Sequence, residues 1–288
     1  MKSVHVVINP ASGHDEPILN AINYAFHEHD IEWSISVTQK FGDATEFARK
    51  AAEDGYDIVA GYGGDGTMHE IANGIMGSKA LMGVLPGGTG NGFANEMGTP
   101  NKLRPALDVL CTSENVRNID IVQMEDSYFI QRLYLGIEPD QQTSREEKDK
   151  YGTFAYAISS FQRAKETTEF QYKLRIDETE YAGLAMKMYV VNAAQTGTGI
   201  SVTGNFSSVD DGLLDVFVLD LNDLGTISSA TDRMLNLSTK QSEDFIYQGR
   251  EVTIETEPDQ PVWTDGEYTG RTPVVMKALP GALSVVVP

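Results

Sequence analysis

Three short runs of this 288-residue chain place small residues and hydroxyls where a strand gives way to a helix: Asn9-Pro10-Ala11-Ser12-Gly13, Gly61-Tyr62-Gly63-Gly64-Asp65-Gly66-Thr67 and Pro86-Gly87-Gly88-Thr89-Gly90-Asn91. Glycines let backbone N–H groups approach an anion closely, and a helix start adds partial positive charge. One such run is weak evidence, because a tight turn also needs glycine. Three in succession, with Ser12, Thr67 and Thr89 supplying hydroxyls, point to a polyphosphate. There is no Gly-x-x-x-x-Gly-Lys-Ser/Thr loop, which excludes a P-loop NTPase. The spacing Gly61-x-Gly63-x-x-Gly66 satisfies the dinucleotide fingerprint formally, but it follows the third strand and holds an acid among its glycines. A carboxylate beside phosphate makes sense mainly through a divalent cation, so Asp65 is a candidate Mg²⁺ ligand, directly or through water. A second pair of carboxylates, Asp265 and Glu267, flanks Gly266. On an extended chain residues i and i+2 share a face; the plain alternative is a type I′ Asp-Gly hairpin turn.

The elements around these residues read as two architectures. Val4 to Ile8 is a β-branched run, and Ile18, Leu19, Ile22, Ala25 and Phe26 carry helical spacing. Ile31 to Val37 alternates as a strand. Asp43 caps a second helix on this reading, with Glu46 completing a capping box. Ile58 to Ala60 and Leu81 to Leu85 are buried strands separated by the helix from Met68 to Ile75. This β-α-β-α order calls for a mostly parallel sheet with helices on both faces, its turns at the carboxyl edge where open α/β sheets bind ligands. After Asn118 strand-like runs dominate: 119–124, 128–135, 170–176, 186–191, 213–218, 251–256 and 283–287, interrupted by a helical stretch at about 150–165 beside the charge run 145–150. The expected fold class is α/β plus all-β: an α/β nucleotide-binding domain over 1–122 and a β-sandwich domain over 123–288.

Composition narrows the partners. Twenty-two Lys and Arg against 42 Asp and Glu give a net charge of −20, which excludes nucleic acid, whose phosphates need a basic footprint. It also argues against electrostatic docking on anionic membrane. No apolar run approaches a transmembrane span. The single Cys111 forms no internal disulfide, and a cytoplasmic protein is expected. His27 and His29, two apart on a predicted helix, read as surface residues.

The three glycine runs resemble the nucleotide motifs of the diacylglycerol kinase catalytic family, which includes sphingosine and ceramide kinases and bacterial soluble lipid kinases. The likeness extends to Thr38 with Gly42-Asp43-Ala44, to Asn192, Asp211-Gly212-Leu213, Asp265-Gly266-Glu267 and Leu279-Pro280-Gly281. It implies a cleft between two domains that closes on substrate, and ATP held by Asn9, Pro10, Ser12, Gly13, Thr38, Gly63, Gly64, Asp65, Gly66, Thr67, Glu70, Gly88 and Thr89. It implies Asp265 as general base with Glu267 as its partner, a lipid substrate at a membrane surface, and a structural Mg²⁺ held by Asp211 and the Leu213 carbonyl. Phosphoryl transfer to an alcohol independently calls for ATP·Mg²⁺ held in line and a carboxylate to take the hydroxyl proton.

The chain departs from the bacterial pattern in reading Asn91-Gly92-Phe93-Ala94-Asn95 and in carrying His14 after the first motif. Asp210 and Asp215 then read as solvent-facing acids of a turn. Three alternatives stay open: a sphingoid-base or other lipid kinase, suggested by Met68-His69-Glu70; an NAD kinase, which shares Gly-Gly-Asp-Gly-Thr; and a nucleotide- or lipid-binding protein without catalysis.

Overall fold

A computed structural model describes residues 2–12, 16–136, 169–192, 208–219 and 246–288. Gly13, His14, the charge run at 145–150 and the helix expected at 150–165 lie outside these residues. The chain divides into two units, one of Met1–Ile119 with Gly281–Pro288 and one of Asp120–Pro280.

The first unit alternates strands and helices: β1 (Ser3–Ile8), α1 (Ile18–Glu28), β2 (Glu32–Val37), α2 (Asp43–Glu53), β3 (Ile58–Gly63), α3 (Asp65–Ile75), β4 (Leu81–Pro86), α4 (Gly92–Glu96) and α5 (Leu103–Thr112). The strands lie in the order β2-β1-β3-β4, all parallel. Alternation along the strands sorts the core. Val4, Val6, Ile8, Ile58, Ala60 and Tyr62 join Ile22, Ala25 and Phe26 of α1 and Leu103, Ala106, Leu107 and Leu110 of α5. Parallel strands oblige every glycine turn to leave from the same edge, so the three runs share one end of the sheet by topology.

The second unit begins within β5 (Val116–Met124) and adds β6 (Ser127–Phe129), β7 (Arg132–Leu135), β8 (Phe170–Ile176), β9 (Thr179–Ala185), β10 (Lys187–Val191), β11 (Leu214–Leu219), β12 (Ile246–Gly249), β13 (Glu251–Glu257), β14 (Pro261–Thr264), β15 (Glu267–Arg271) and β16 (Val274–Val286). One sheet runs β12-β11-β10-β7-β14-β15, entirely antiparallel. The other joins the first half of β16 to β13, β8 and β9, also antiparallel. Phe170, Tyr172, Leu174 and Ile176 are buried while Gln171, Lys173 and Arg175 between them are exposed. These inward residues pack with Leu133, Leu135, Met188, Val190, Leu214, Val216 and Val262 of the facing sheet, which makes the unit a sandwich.

Two expectations change here. A single boundary at 122/123 misses the return of β16, whose Val285 pairs in parallel with Met82 of β4, so residues 281–288 belong to the first unit. Asp43 does not cap α2. Gly42, at φ 89°, precedes the helix, and the Asp43 carboxylate instead accepts the N–H groups of Gln39 (2.8 Å) and Lys40 (3.0 Å) in the loop before it. The Gln39 bond foremost holds that carboxyl below the usual aspartate range.

Candidate active site

The loops at the carboxyl edge of the first unit are fastened to one another by backbone groups and short polar side chains. Asn9 accepts the Ala11 N–H on Oδ1 (3.0 Å), closing an Asx turn, while its Nδ2 donates to Thr67 Oγ1 (3.1 Å). Its own N–H reaches the Tyr62 carbonyl (3.0 Å), and Ser12 N–H returns to the Asn9 carbonyl (3.1 Å). Pro10 is exposed in that turn. Thr38, following β2, hydrogen-bonds the Ile8 carbonyl through its N–H (2.9 Å).

The second and third loops meet backbone to backbone. A Cβ on Gly88 would stand 2.7 Å from Gly64 Cα, and one on Gly63 would stand 2.3 Å from Thr67 Oγ1, so neither position admits a side chain. Gly87 N–H donates to the Gly63 carbonyl (2.8 Å). Asn91, at φ 47°, folds over Gly88: Oδ1 accepts the Gly88 N–H (2.9 Å) and Nδ2 donates to the Gly88 carbonyl (2.7 Å). Thr89 is exposed, and Gly64, Asp65 and Gly66 are half-buried. The chain thus brings Asn9, Ser12, Thr38, Gly63, Gly64, Asp65, Gly66, Thr67, Gly88 and Thr89 to one edge of one sheet.

Asp65 has a definite structural task. Its Oδ2 accepts the N–H of Gly92 (3.0 Å) and its Oδ1 that of Phe93 (2.9 Å), so the acid among the glycines ties the second loop to the first turn of α4. Helix starts leave N–H groups without intrahelical partners, and a carboxylate is a good acceptor for them. Both donors are backbone N–H groups, so this fastening does not depend on a side chain at Gly92. Each carboxylate oxygen can accept a further bond, which suits Asp65 to a cation held through water beside phosphate.

Glu70 holds the neighbouring loop. From α3 its Oε2 accepts the N–H groups of Gly42 (2.9 Å) and Ala44 (3.1 Å), which fixes the segment leading from Thr38 into α2. Burial pushes the Glu70 carboxyl up despite these bonds. A carboxyl whose pKa rises on folding favours the folded state below its ordinary range, and that contribution is lost as pH rises through the raised value. Glu70→Gln keeps an acceptor and removes the charge. Its melting temperature is expected to match or exceed wild type above neutrality by up to about 2–4 °C, with the gap closing as pH falls. Melts of both proteins across pH check this, and a gap that widens toward acid contradicts it.

In the second unit Asp265 occupies the tip of the β14–β15 hairpin. Asp265 at φ 47° and Gly266 at φ 93° give the two left-handed positions of a type I′ turn. The extended geometry expected for Asp265-Gly266-Glu267 is therefore replaced by a reversal, with Glu267 pairing opposite Thr264. The Asp265 carboxylate is more than a turn residue. Oδ2 accepts the N–H of Ile130 (2.8 Å), and Oδ1 those of Gln131 and Arg132 (2.9 Å each). Glu267 is exposed at the start of β15.

The loop over 208–213 turns inward on its own acid. Asp211 accepts the N–H groups of Ser208 (2.8 Å) and Leu213 (3.0 Å). Asp120 accepts the Gly212 N–H from below and is itself buried. Asp120 was not legible as a site residue, although an acid inside Ile119-Asp120-Ile121-Val122 is a signal of a buried polar contact. Asp215 is not a solvent-facing turn acid: it lies buried in β11, where Gln248 Nε2 donates to it (3.1 Å). Asp210 is exposed and accepts from Ser208 Oγ. Among the described residues no three His, Cys, Asp or Glu side chains gather as a metal cluster.

Two family descriptions cover this arrangement. The diacylglycerol kinase catalytic domain matches residues 3–124, and the YegS C-terminal NAD kinase beta sandwich-like domain matches 133–287. The chain belongs to the diacylglycerol kinase family. A diacylglycerol kinase of Staphylococcus epidermidis is 27% identical over 281 residues, covering 94% of this chain and 88% of that protein. One from Staphylococcus aureus is 27% identical over 297 residues, covering 100% and 93%. The crystal structure of a diacylglycerol kinase from Bacillus anthracis superposes with a TM-score of 0.83 at 27% identity, covering 100% of this chain and 97% of that one. The chain is a lipid kinase of the diacylglycerol kinase family, and membership of that family implies the use of ATP. The two-part fold, α/β and β-sandwich, is the one its sequence resemblance implies. No helix among the described residues is long and apolar enough to cross a membrane.

Proposed function

We propose that this diacylglycerol kinase family member transfers the γ-phosphoryl group of ATP, bound as its Mg²⁺ complex, to the free hydroxyl of a diacylglycerol-like lipid presented at the cytoplasmic face of a membrane. The observation that carries the reading is the fastening of the second glycine loop to the third and to the helix start that follows it, through Gly87–Gly63 and Asp65–Gly92, with Gly88–Asn91 closing the third loop on itself, into one backbone-built edge. No Lys or Arg stands in these three runs. Triphosphate charge is therefore met by N–H groups and by the cation, with Asp65 holding that cation through water. Mg²⁺ supplies charge neutralisation on the transferring phosphoryl group. Thr38, Thr67, Ser12 and Thr89 orient phosphate and ribose hydroxyls by hydrogen bonds.

Asp265 orients the lipid hydroxyl and receives its proton. Three N–H donors hold that carboxylate in place, and a loose phosphoryl-transfer transition state asks chiefly for placement. Glu267, exposed on the next residue but one, tunes that carboxylate electrostatically. Asp211 and Leu213 would hold the structural cation, by the carboxylate and the Leu213 carbonyl, after Asp211 exchanges one of its loop N–H contacts.

Incubation with γ-labelled ATP and a panel of short-chain diacylglycerols, sphingoid bases and NAD tests the reading. Label is expected in diacylglycerol, saturating with lipid, and ATP affinity is expected to collapse in excess chelator. Label in NAD or in the sphingoid base alone, or ATP binding unchanged by chelation, would overturn it.

A further inference from the structure

The segment Ile130-Gln131-Arg132 joins β6 to β7 and directs three successive N–H groups at one carboxylate, that of Asp265. A regular strand cannot do this, because successive N–H groups point to opposite sides. Something must hold these residues out of the extended form, and their carbonyls show what does. The Ile130 carbonyl accepts Asn192 Nδ2 (2.7 Å), the Gln131 carbonyl accepts the Asn192 N–H (2.8 Å), and the Arg132 carbonyl accepts the Asp265 N–H (2.9 Å). All six backbone polar groups of the segment are thus engaged by two residues, Asp265 on one side and Asn192 on the other.

Asn192 is fully buried at the end of β10, beside the Val191–Arg132 pairing. Its Nδ2 also donates to the Asp120 carbonyl (3.1 Å). Two carbonyl acceptors fix the carboxamide orientation, since the flipped group would set oxygen against oxygen. Among the described residues, the result leaves Asn192 Oδ1 buried without a partner, as is Gln131 Nε2. Buried unsatisfied polar atoms are costly and rare in folded proteins. Two of them around one tripeptide mark a place where backbone geometry, rather than side-chain satisfaction, decides the arrangement.

We propose that Asn192 is a positioning residue for Asp265: by holding the Ile130 and Gln131 carbonyls it aims the three N–H groups that fix the Asp265 carboxylate on the acceptor hydroxyl. The inference rests on the reading of Asp265 as the group that meets the lipid hydroxyl. Asn192→Ala keeps the backbone N–H and deletes Nδ2, so the segment relaxes toward a strand and the carboxylate loses its frame. Asn192→Ser restores one short donor.

Steady-state kinetics of the full chain with ATP and dioctanoylglycerol test this. In Asn192→Ala, kcat is expected to fall by about 10²-fold, the scale for a slightly misplaced reacting group, with KM for ATP unchanged because the nucleotide loops lie in the other unit. Asn192→Ser is expected to recover part of that loss. Amide hydrogen exchange should quicken at Ile130, Gln131 and Arg132 in Asn192→Ala while β8 stays protected. Wild-type kcat in a folded Asn192→Ala, or a loss shared equally between kcat and KM for ATP, would overturn the proposal. Should the alanine variant not fold, the serine variant carries the same comparison, and fast exchange of the three amides in the wild-type protein would overturn it without any variant. A wild-type protein that phosphorylates no lipid would count against the functional reading instead, and the exchange data would still decide the clamp.

Discussion

Asp265→Asn is expected to lower turnover by about 10²–10⁴-fold, the usual scale for removing a general base, while leaving ATP affinity at the wild-type level. It is also expected to melt earlier. Asn-Gly suits a type I′ turn as well as Asp-Gly does, so a residue serving only the hairpin would tolerate the change. Asp265 also accepts three N–H bonds. An amide has one accepting oxygen, and its NH₂ would face an N–H it cannot bond. One orphaned N–H at a half-buried site costs about 1–3 kcal/mol, or roughly 2–12 °C for a unit of this size. Turnover measured well below both melting temperatures, beside calorimetric titration with ATP, separates the two effects. Wild-type turnover in folded Asp265→Asn would remove the residue from the chemistry; lost ATP affinity would show that the damage spreads beyond its own hairpin.

The second large effect belongs to the first unit. Asp65→Ala is expected to weaken ATP·Mg²⁺ binding by about 10–100-fold, the scale seen when a group supporting a metal site is lost. It also strips the acceptor from Gly92 and Phe93 and should lower the melting temperature. Asp65→Asn divides these roles. Its single carbonyl oxygen keeps one N–H bond and so part of the stability, but it carries no charge for the cation. If both variants bind ATP·Mg²⁺ like wild type, Asp65 is a fastener only; if Asp65→Asn binds well and Asp65→Ala does not, loop geometry rather than charge governs the nucleotide.

Where side-chain contacts are local or topological, the sequence carried them plainly. Short apolar runs alternating with helical spacing call for parallel strands, and parallel strands put the turns on one edge, as Val4–Ile8, Ile58–Ala60 and Leu81–Leu85 do. Asp265-Gly266 carried its turn in its residue types. What stayed hidden were bonds between distant partners. Asp65 meets Gly92 and Phe93 across 27 and 28 residues, and Asp265 meets Ile130 across 135. No periodicity records which N–H group a carboxylate will find. Asp43 shows the same limit at short range, because a capping pattern cannot say whether the oxygen turns toward the helix or back to Gln39 and Lys40. Asp215 misled because its neighbours Asp210 and Asp211 are turn acids, whereas strand alternation carries it to a buried position beside Gln248.

The return of β16 has a consequence for the order in which the molecule can be made. Its last residues stand beside β4, with Val285 opposite Met82, the Val287 N–H on the Asn115 carbonyl and Ser113 Oγ on the Val287 carbonyl. Until residues 281–288 emerge from the ribosome, β4 is an open edge with unpaired N–H and C=O groups, the kind of template on which chains associate wrongly. The α/β unit, first to be synthesised, is therefore among the last to be finished. A protein stopped at 122 would be an incomplete sheet rather than a shorter domain, and trimming the last residues would be felt first at the amino end of β4, beside Met82.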